Sequence, residues 1–161
     1  MSQHPLHSTP TVPVIRPLRA DQIDAAIELF QSQLAEHQIE SGTESLRRVI
    51  ERVVADDRYG FILAAATDEG KLVGVALGSA FLGVEHGGDS GWLEELYVLP
   101  AWRQKGVGTR LLDEVIRAAR ARAWRALDLE VDAGHQRVIS LSPEENPVDV
   151  YGQPHRRAFR I

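Results

Sequence analysis

Apolar residues recur at helical spacing in the first third of the chain. From Ile23 they fall on one side of a predicted helix, and Asp21 is placed to cap its start. A break at Ser41-Gly42 separates this helix from a second one that is predicted to begin near Thr43. A short strand from Val14 precedes both helices.

The middle of the chain is more continuously apolar and predicts strands. Residues 59–67 and 71–82 form two long apolar runs on either side of a DEG turn, which is typical of an antiparallel hairpin. A loop rich in glycine and acidic residues follows at 83–91. The sequence WLEELYVL, from Trp92, then predicts a third strand.

Helical spacing returns after this strand. A helix with a clear apolar stripe is predicted from about Gly106 to Arg122, then a strand at 126–131, and 134–141 is compatible with a short helix. The β-α-β segment implies a parallel strand pair, whereas the hairpin implies antiparallel neighbours. We therefore expect an α/β fold: a mixed, mostly antiparallel twisted sheet with helices on both faces.

Length and composition narrow the class of protein. The 161 residues suit a single domain at 14–161, preceded by a flexible arm at 1–13 that contains three prolines. No apolar run approaches the roughly 20 residues that span a bilayer, and the first residues do not have the pattern of a signal peptide. The net charge of −5 disfavours general nucleic-acid binding. The absence of cysteine excludes disulfides and cysteine nucleophiles, and fits a cytoplasmic location.

The junction VLPAWRQKGVGTRLL combines a strand end, positive charge and glycines before a helix. The first amides of a helix have no acceptor within the helix, and the helix dipole makes that end positive. Gly106 and Gly108 lack the Cβ atoms that would hold a ligand away, and Arg103 and Lys105 add charge. The junction therefore predicts a phosphate or pyrophosphate site. It is neither a Walker loop, because the lysine precedes the glycine, nor a dinucleotide fingerprint, because Leu111 occupies the third glycine position.

The pattern at 103–108 is Arg or Gln, two free positions, Gly, one free position, and Gly or Ala. With LEELYVLPAW before it and TRLL after it, the chain from about 14 to 141 resembles the GCN5-related N-acetyltransferase (GNAT) superfamily. The resemblance implies the acyl-CoA N-acyltransferase fold, with acetyl-CoA as cosubstrate and no metal. The cofactor-binding residues that it implies are the backbone of Leu96, Tyr97 and Val98 beside the pantetheine arm, the loop and helix start Arg103, Gln104, Lys105, Gly106, Val107, Gly108 and Thr109, and His135 at the position of a family asparagine.

Two adjacent carboxylates, Glu94 and Glu95, lie on the strand before the loop. Because side chains alternate along a strand, we expect them on opposite faces of the sheet. Resemblance to family members with an LED stretch here, polyamine acetyltransferases among them, implies Glu94 as the first candidate for the general base and Glu95 as the second. The alternative is that either one is a structural carboxylate.

The family's thiolate-protonating tyrosine is missing, and Ser142 stands in its place. A serine hydroxyl is a poor acid, so water protonates the thiolate in the interpretation we favour; Tyr151 in the tail, or an impaired site, are the alternatives. Several acidic and histidine side chains either wall a pocket for a cationic amine or are ordinary surface residues. They are Glu36, His37, Glu40, Glu85, His86 and Asp89.

These observations together predict an enzyme. We expect transfer of an acetyl group from acetyl-CoA to a primary amine of a small molecule, by direct attack in a ternary complex, and a homodimer that binds neither nucleic acid nor membrane. Two alternatives stay open. One is a non-catalytic acyl-CoA-binding sensor or partner domain, and the other is a protein N-terminal or lysine acetyltransferase.

Overall fold

One sheet organises the molecule, and its strands follow one another across it in chain order. The computed structural model describes residues 11–132 and 135–141. The elements in this part of the chain are β1 (Val14–Pro17), α1 (Ile23–Glu36), α2 (Thr43–Ala55), β2 (Gly60–Ala66), β3 (Leu72–Gly83), β4 (Gly88–Val98), α3 (Val107–Ala121), β5 (Ala126–Asp132) and β6 (His135–Ser140).

The strand pairing confirms the predicted mixed sheet. β1 to β4 pair antiparallel in succession, β4 and β5 pair in parallel, and β5 and β6 pair antiparallel. The parallel pair is the one joined through α3, since parallel neighbours need a long crossover connection. The predicted hairpin of β2 and β3 turns at residues 67–71, where the Gly70 N–H donates to the Thr67 carbonyl.

Each face of the sheet carries its own apolar cluster. On one, which we call the α3 face, side chains of α3 such as Leu111 and Val115 pack with Leu93, Leu127 and other strand residues. On the other, the α1–α2 face, helices α1 and α2 pack over β2, β3 and the end of β4. The predicted helices on both faces are therefore confirmed.

The apolar stripe of α3 explains why this helix forms and how it is held. Its predicted apolar positions are all buried: Val107, Leu111, Leu112, Val115, Ile116 and Ala119. Full burial of one such Leu, Ile or Val side chain contributes about 1.5–3 kcal/mol. The stripe thus fixes the helix against the sheet, and with it the position of the loop that precedes the helix.

One predicted element is wrong. Residues 134–141 were expected to be compatible with a helix, but His135–Ser140 is strand β6. It pairs with β5 from Ala126↔Ser140 to Asp132↔His135, so its peptide groups bond to a neighbouring strand. The β-branched pair Val138 and Ile139 favours a strand, and the pairing with β5 decides in favour of it.

The predicted N-terminal arm and C-terminal tail fall mostly outside the described residues. Residues 1–10 and 142–161 belong to them, so the arm at 1–13 and the end of the domain stay predictions. Within the described residues, no helix is long and apolar enough to cross a membrane.

Candidate active site

The parallel strands β4 and β5 separate after a short ladder. They pair at Gly91↔Leu127, Trp92↔Asp128 and Leu93↔Leu129, and β4 then continues to Val98 without a further β5 partner in the described part of the chain. The second half of β4 therefore presents a free backbone edge, as backbone binding of an extended ligand requires.

The peptide groups that face this gap follow from the β3–β4 ladder. The Leu99 N–H donates to the Val73 carbonyl across that ladder at 2.9 Å. Because the N–H and C=O of successive residues in an antiparallel strand point alternately to the two sides, those of Leu96 and Val98 face the gap and those of Tyr97 face β3. Of the three residues predicted to contact the cofactor through the backbone, Leu96 and Val98 are the two so oriented.

The loop after β4 has the backbone of an anion cradle. Gln104 and Gly106 both have positive φ, 61° and 82°. Alternating left- and right-handed residues turn successive N–H groups toward a common point. A Cβ added to Gly106 would meet no atom of the described residues within 4 Å, so this part of the structure leaves space for a ligand above the loop.

Helix α3 continues this cradle. Gly106 is its N-cap, no described side chain caps its first amides, and its first turn contains no acidic residue. The N–H groups of Val107, Gly108 and Thr109 belong to that first turn, where intrahelical acceptors are lacking. The predicted pyrophosphate residues of the loop and helix start thus lie together, with their donors unobstructed by side-chain carboxylates.

Arg103 was expected to add free positive charge to the loop, but its guanidinium is bonded to other parts of the protein. Its Nη2 donates to both carboxylate oxygens of Glu36 at 2.8 and 3.0 Å, and its Nε donates to the Val98 carbonyl at 2.9 Å. The guanidinium also lies 5.3 Å from the Tyr97 ring centroid. Arg103 therefore ties the loop to the end of α1 and to β4, and Lys105, which lies over Trp102, is the exposed cation of the loop.

The Tyr97 ring belongs to the apolar cluster on the α1–α2 face. It is 5% exposed, and its hydroxyl donates to Glu36 at 3.2 Å. Burial, followed by the negative charge of Glu36, raises the pKa of its phenol.

The expectation that Glu94 and Glu95 point to opposite faces is wrong, because a β-bulge interrupts the alternation. Leu77 pairs with Glu95 and Gly78 pairs with Leu93, which leaves Glu94 as an extra residue. Leu77 belongs to the α1–α2 face, so its partner Glu95 faces the same way. Glu94 accepts a 2.5 Å hydrogen bond from Ser79, two residues along β3 on that same face.

The bulge therefore brings two carboxylates together on the α1–α2 face, where β4 and β5 part. Burial, and then repulsion by Glu94, raises the pKa of Glu95 from an ordinary 4.5 to about 7. Glu94 is exposed, and its carboxylate accepts the hydrogen bond from the Ser79 hydroxyl. The structure thus favours Glu95, the second candidate from the sequence, as the group suited to exchange protons near neutral pH.

The remaining predicted residues have different positions. His135 is on β6 rather than on a helix, and nothing is described of its side chain, so its cofactor contact stays a prediction. Ser142 and Tyr151 lie outside the described residues. His86 contacts Asp128 at 3.0 Å, whereas Asp89 is exposed on the β3–β4 hairpin that carries His86.

The contacts made by Ser79, Glu36 and Asp128 had no local signal in the sequence, because each joins residues far apart along the chain.

Comparison with protein-family models shows to which family the chain belongs. The model of the acetyltransferase (GNAT) family matches residues 25–142. The chain belongs to the GNAT family. The match extends from α1 to β6 and includes both the glycine loop and the bulged strand, so the GNAT resemblance inferred from the loop is confirmed.

Solved structures of acetyltransferases share the fold. A possible acetyltransferase from Clostridium difficile 630 is 18% identical with a TM-score of 0.67, over 78% of this chain and 83% of that one. A GNAT-family acetyltransferase from Brucella melitensis in complex with acetyl-CoA is 19% identical with a TM-score of 0.63, over 84% and 92%. The aminoglycoside N-acetyltransferase AAC(6')-Iy in complex with CoA is 20% identical with a TM-score of 0.66, over 78% and 80%. A search of curated protein sequences finds no significant match.

Proposed function

We propose that this GNAT protein transfers an acetyl group from acetyl-CoA to a primary amine of a small molecule, by direct attack in a ternary complex. The observation that carries the proposal is Glu95. It is a half-buried carboxylate with a pKa of about 7, at the point where β4 and β5 separate. A general base works best when its pKa lies near the operating pH.

The chain has the features needed to hold acetyl-CoA. The amides from Gln104 to Thr109 would bind the pyrophosphate, and the peptide groups of Leu96 and Val98 would line the pantetheine arm. Open space above Gly106 and the absence of acids in the first turn of α3 support this assignment. Similar folds bound to acetyl-CoA or CoA, from Brucella melitensis and in AAC(6')-Iy, support it further.

The Val98 carbonyl already accepts from Arg103. The Val98 N–H and the N–H and carbonyl of Leu96 therefore remain as the free edge for the cofactor. The Leu96 N–H would be a fixed donor to a carbonyl oxygen placed in the gap, where developing negative charge needs stabilisation.

Bound acetyl-CoA supplies an acetyl group activated as a thioester. Glu95 accepts a proton from the attacking amine, directly or through a water, as the N–C bond forms and the C–S bond breaks. The sulfur leaves with the bonding electron pair and takes its proton from water, which needs no acid in place of the missing tyrosine. Since the sequence contains no cysteine, a cysteinyl acyl-enzyme is not available, and direct attack is the simpler route.

Release of coenzyme A tests the proposal directly. Dithiobis-nitrobenzoate reports free thiol, and since this chain has no cysteine the signal comes only from coenzyme A. Acetyl-CoA with a panel of small amines should give amine-dependent thiol release. Tight binding of acetyl-CoA without turnover of any amine would contradict the proposal and would favour a binding module.

A further inference from the structure

Three side chains form a row across the sheet beside the carboxylate pair. Ser79 on β3 pairs in register with Trp92 on β4, and Trp92 pairs with Asp128 on β5. We call Ser79, Trp92 and Asp128 the shelf. Neighbouring strands lie about 4.8 Å apart, so the two ends of the shelf are about 10 Å apart at the backbone.

The shelf faces the same side as Glu94 and Glu95. The neighbours of Trp92 and Asp128 along their strands point the other way: Leu93, Leu127 and Leu129 belong to the cluster on the α3 face. Trp92 and Asp128 therefore point to the α1–α2 face, where Ser79 bonds Glu94.

Helices α1 and α2 do not cover the shelf. Among the described side chains, the apolar cluster beneath these helices includes Tyr97 of β4 but no residue of β5. Trp92 is partly exposed, whereas large apolar side chains around it on the opposite face are buried. An indole left partly open beside carboxylates is a surface on which a cation binds favourably.

The far end of the shelf is held in place by a histidine. His86 Nε2, in the tautomer that carries a proton there, donates to Asp128 Oδ1 at 3.0 Å and lies 3.3 Å from Oδ2. The two side chains are only 14% and 17% exposed. This contact fixes the Asp128 carboxylate, an acceptor of hydrogen bonds, at the end of the shelf.

We propose that Asp128 selects acceptors that carry a second positive charge, by binding a distal ammonium while the reacting amine lies at Glu94 and Glu95. The substrate class is a small diamine or polyamine whose chain crosses the Trp92 indole. This inference rests on the proposed function, and it adds the residue that distinguishes such acceptors from monoamines.

The test compares diamines with monoamines of matched chain length. Wild-type protein should acetylate α,ω-diaminoalkanes more efficiently than the corresponding monoaminoalkanes, with an optimum in chain length. Asp128→Asn should lower kcat/KM for the preferred diamine about 10–100-fold, mainly through KM, since a hydrogen bond to a charged group is lost. The same variant should change kcat/KM for the monoamine less than about twofold, as no contact to it is removed.

Two further variants separate selection from structure. Asp89→Asn removes an exposed carboxylate from the β3–β4 hairpin, which also carries His86, and should leave the turnover of both acceptors unchanged. Asp128→Glu keeps the charge and should retain part of the diamine preference. Equal losses for diamine and monoamine in Asp128→Asn, or no diamine preference in the wild type, would overturn the inference.

A binding measurement keeps this test independent of turnover. Calorimetry of the preferred diamine into protein saturated with coenzyme A should show saturable binding that Asp128→Asn weakens. If no amine is acetylated but this binding is present and depends on Asp128, the proposed function fails and the cation site stands. If the wild type binds no diamine, the cation site fails.

Discussion

The two halves of the candidate site offer different kinds of groups to a ligand. The cofactor half, from the end of β4 through the loop to the start of α3, offers peptide groups: its conspicuous features are positive φ values and uncapped amides. The acceptor half, around the bulge in β4, offers side chains: Glu94, Glu95 and the shelf. The cofactor half is formed by one short segment of the chain, whereas the acceptor half is formed by strands that are distant in sequence.

The largest expected effect lies in the acceptor half. Glu95→Gln removes the proposed general base, and should lower kcat about 10²–10⁴-fold, the usual contribution of such a group. Glu94→Gln is the matched variant and should cost less than about tenfold, because that carboxylate is exposed and bonded to Ser79. Steady-state kinetics of both variants checks this, and a larger loss in Glu94→Gln would reverse the assignment.

The cofactor half should respond to a change at a single backbone position of the loop. Gly106→Val adds a side chain where the loop is proposed to hold the pyrophosphate, and should weaken coenzyme A binding at least about tenfold in calorimetry. Gly70→Val is the control, because Gly70 has φ 84° and a Cβ added there would likewise meet no atom within 4 Å. Both variants should lose about 1–2 kcal/mol of stability through strain. Equal coenzyme A affinity in the two variants would argue against the cradle.

The raised pKa of Glu95 also makes a prediction about stability. The folded protein holds the Glu95 proton up to about pH 7, whereas the unfolded chain releases it near 4.5, so stability from this group is lost as pH rises through 7. Glu95→Gln removes this cost. It should be more stable than the wild type by about 2 kcal/mol at about pH 8, after allowing for partial exposure, and nearly equal at about pH 4.

Denaturant unfolding at both pH values measures that difference. A variant that is less stable than the wild type at the higher pH would mean that the charged form of Glu95 is stabilised in the fold, which contradicts its raised pKa.

The smallest expected effect is at the contact between the loop and α1. Glu36→Gln weakens its bonds to Arg103 and should cost about 0.5–1 kcal/mol in denaturant unfolding, as Glu36 is half-exposed. Glu40→Gln, an exposed carboxylate just beyond α1, is the charge control and should be neutral. Coenzyme A affinity should change less than about threefold in either variant, because backbone amides carry the binding. A larger change in Glu36→Gln alone would give Arg103 a direct role at the pyrophosphate.

Local signals explain what was predictable from sequence. The glycine loop and helix α3 are formed by consecutive residues. The loop pattern and the apolar stripe of the helix were therefore sufficient to predict both. The carboxylate pair was also visible, but its geometry was not. The bulge at Glu94 arises from the register between Leu77 and Gly78 on another strand, which no spacing within WLEELYV reveals.

Long-range contacts explain the rest. Arg103 was expected to serve as free positive charge, but its carboxylate partner is Glu36, which lies 67 positions away. The Asp128 side chain is paired with His86 from a loop 42 positions earlier. β6 is a strand because β5 offers it a hydrogen-bonding partner, a condition that is set by the sheet and that residues 135–140 alone do not reveal.

The pH dependence of kcat at saturating acetyl-CoA and amine tests the central claim most directly, because it reports ionisation within the ternary complex. In the wild type, kcat should rise with pH through one ionisation and level off once Glu95 has lost its proton, and this break should lie above the pKa of an ordinary glutamate. In Glu95→Gln, this break should disappear together with most of the rate. A break near neutral pH that survives in Glu95→Gln at an undiminished rate would contradict the assignment of Glu95 as the base.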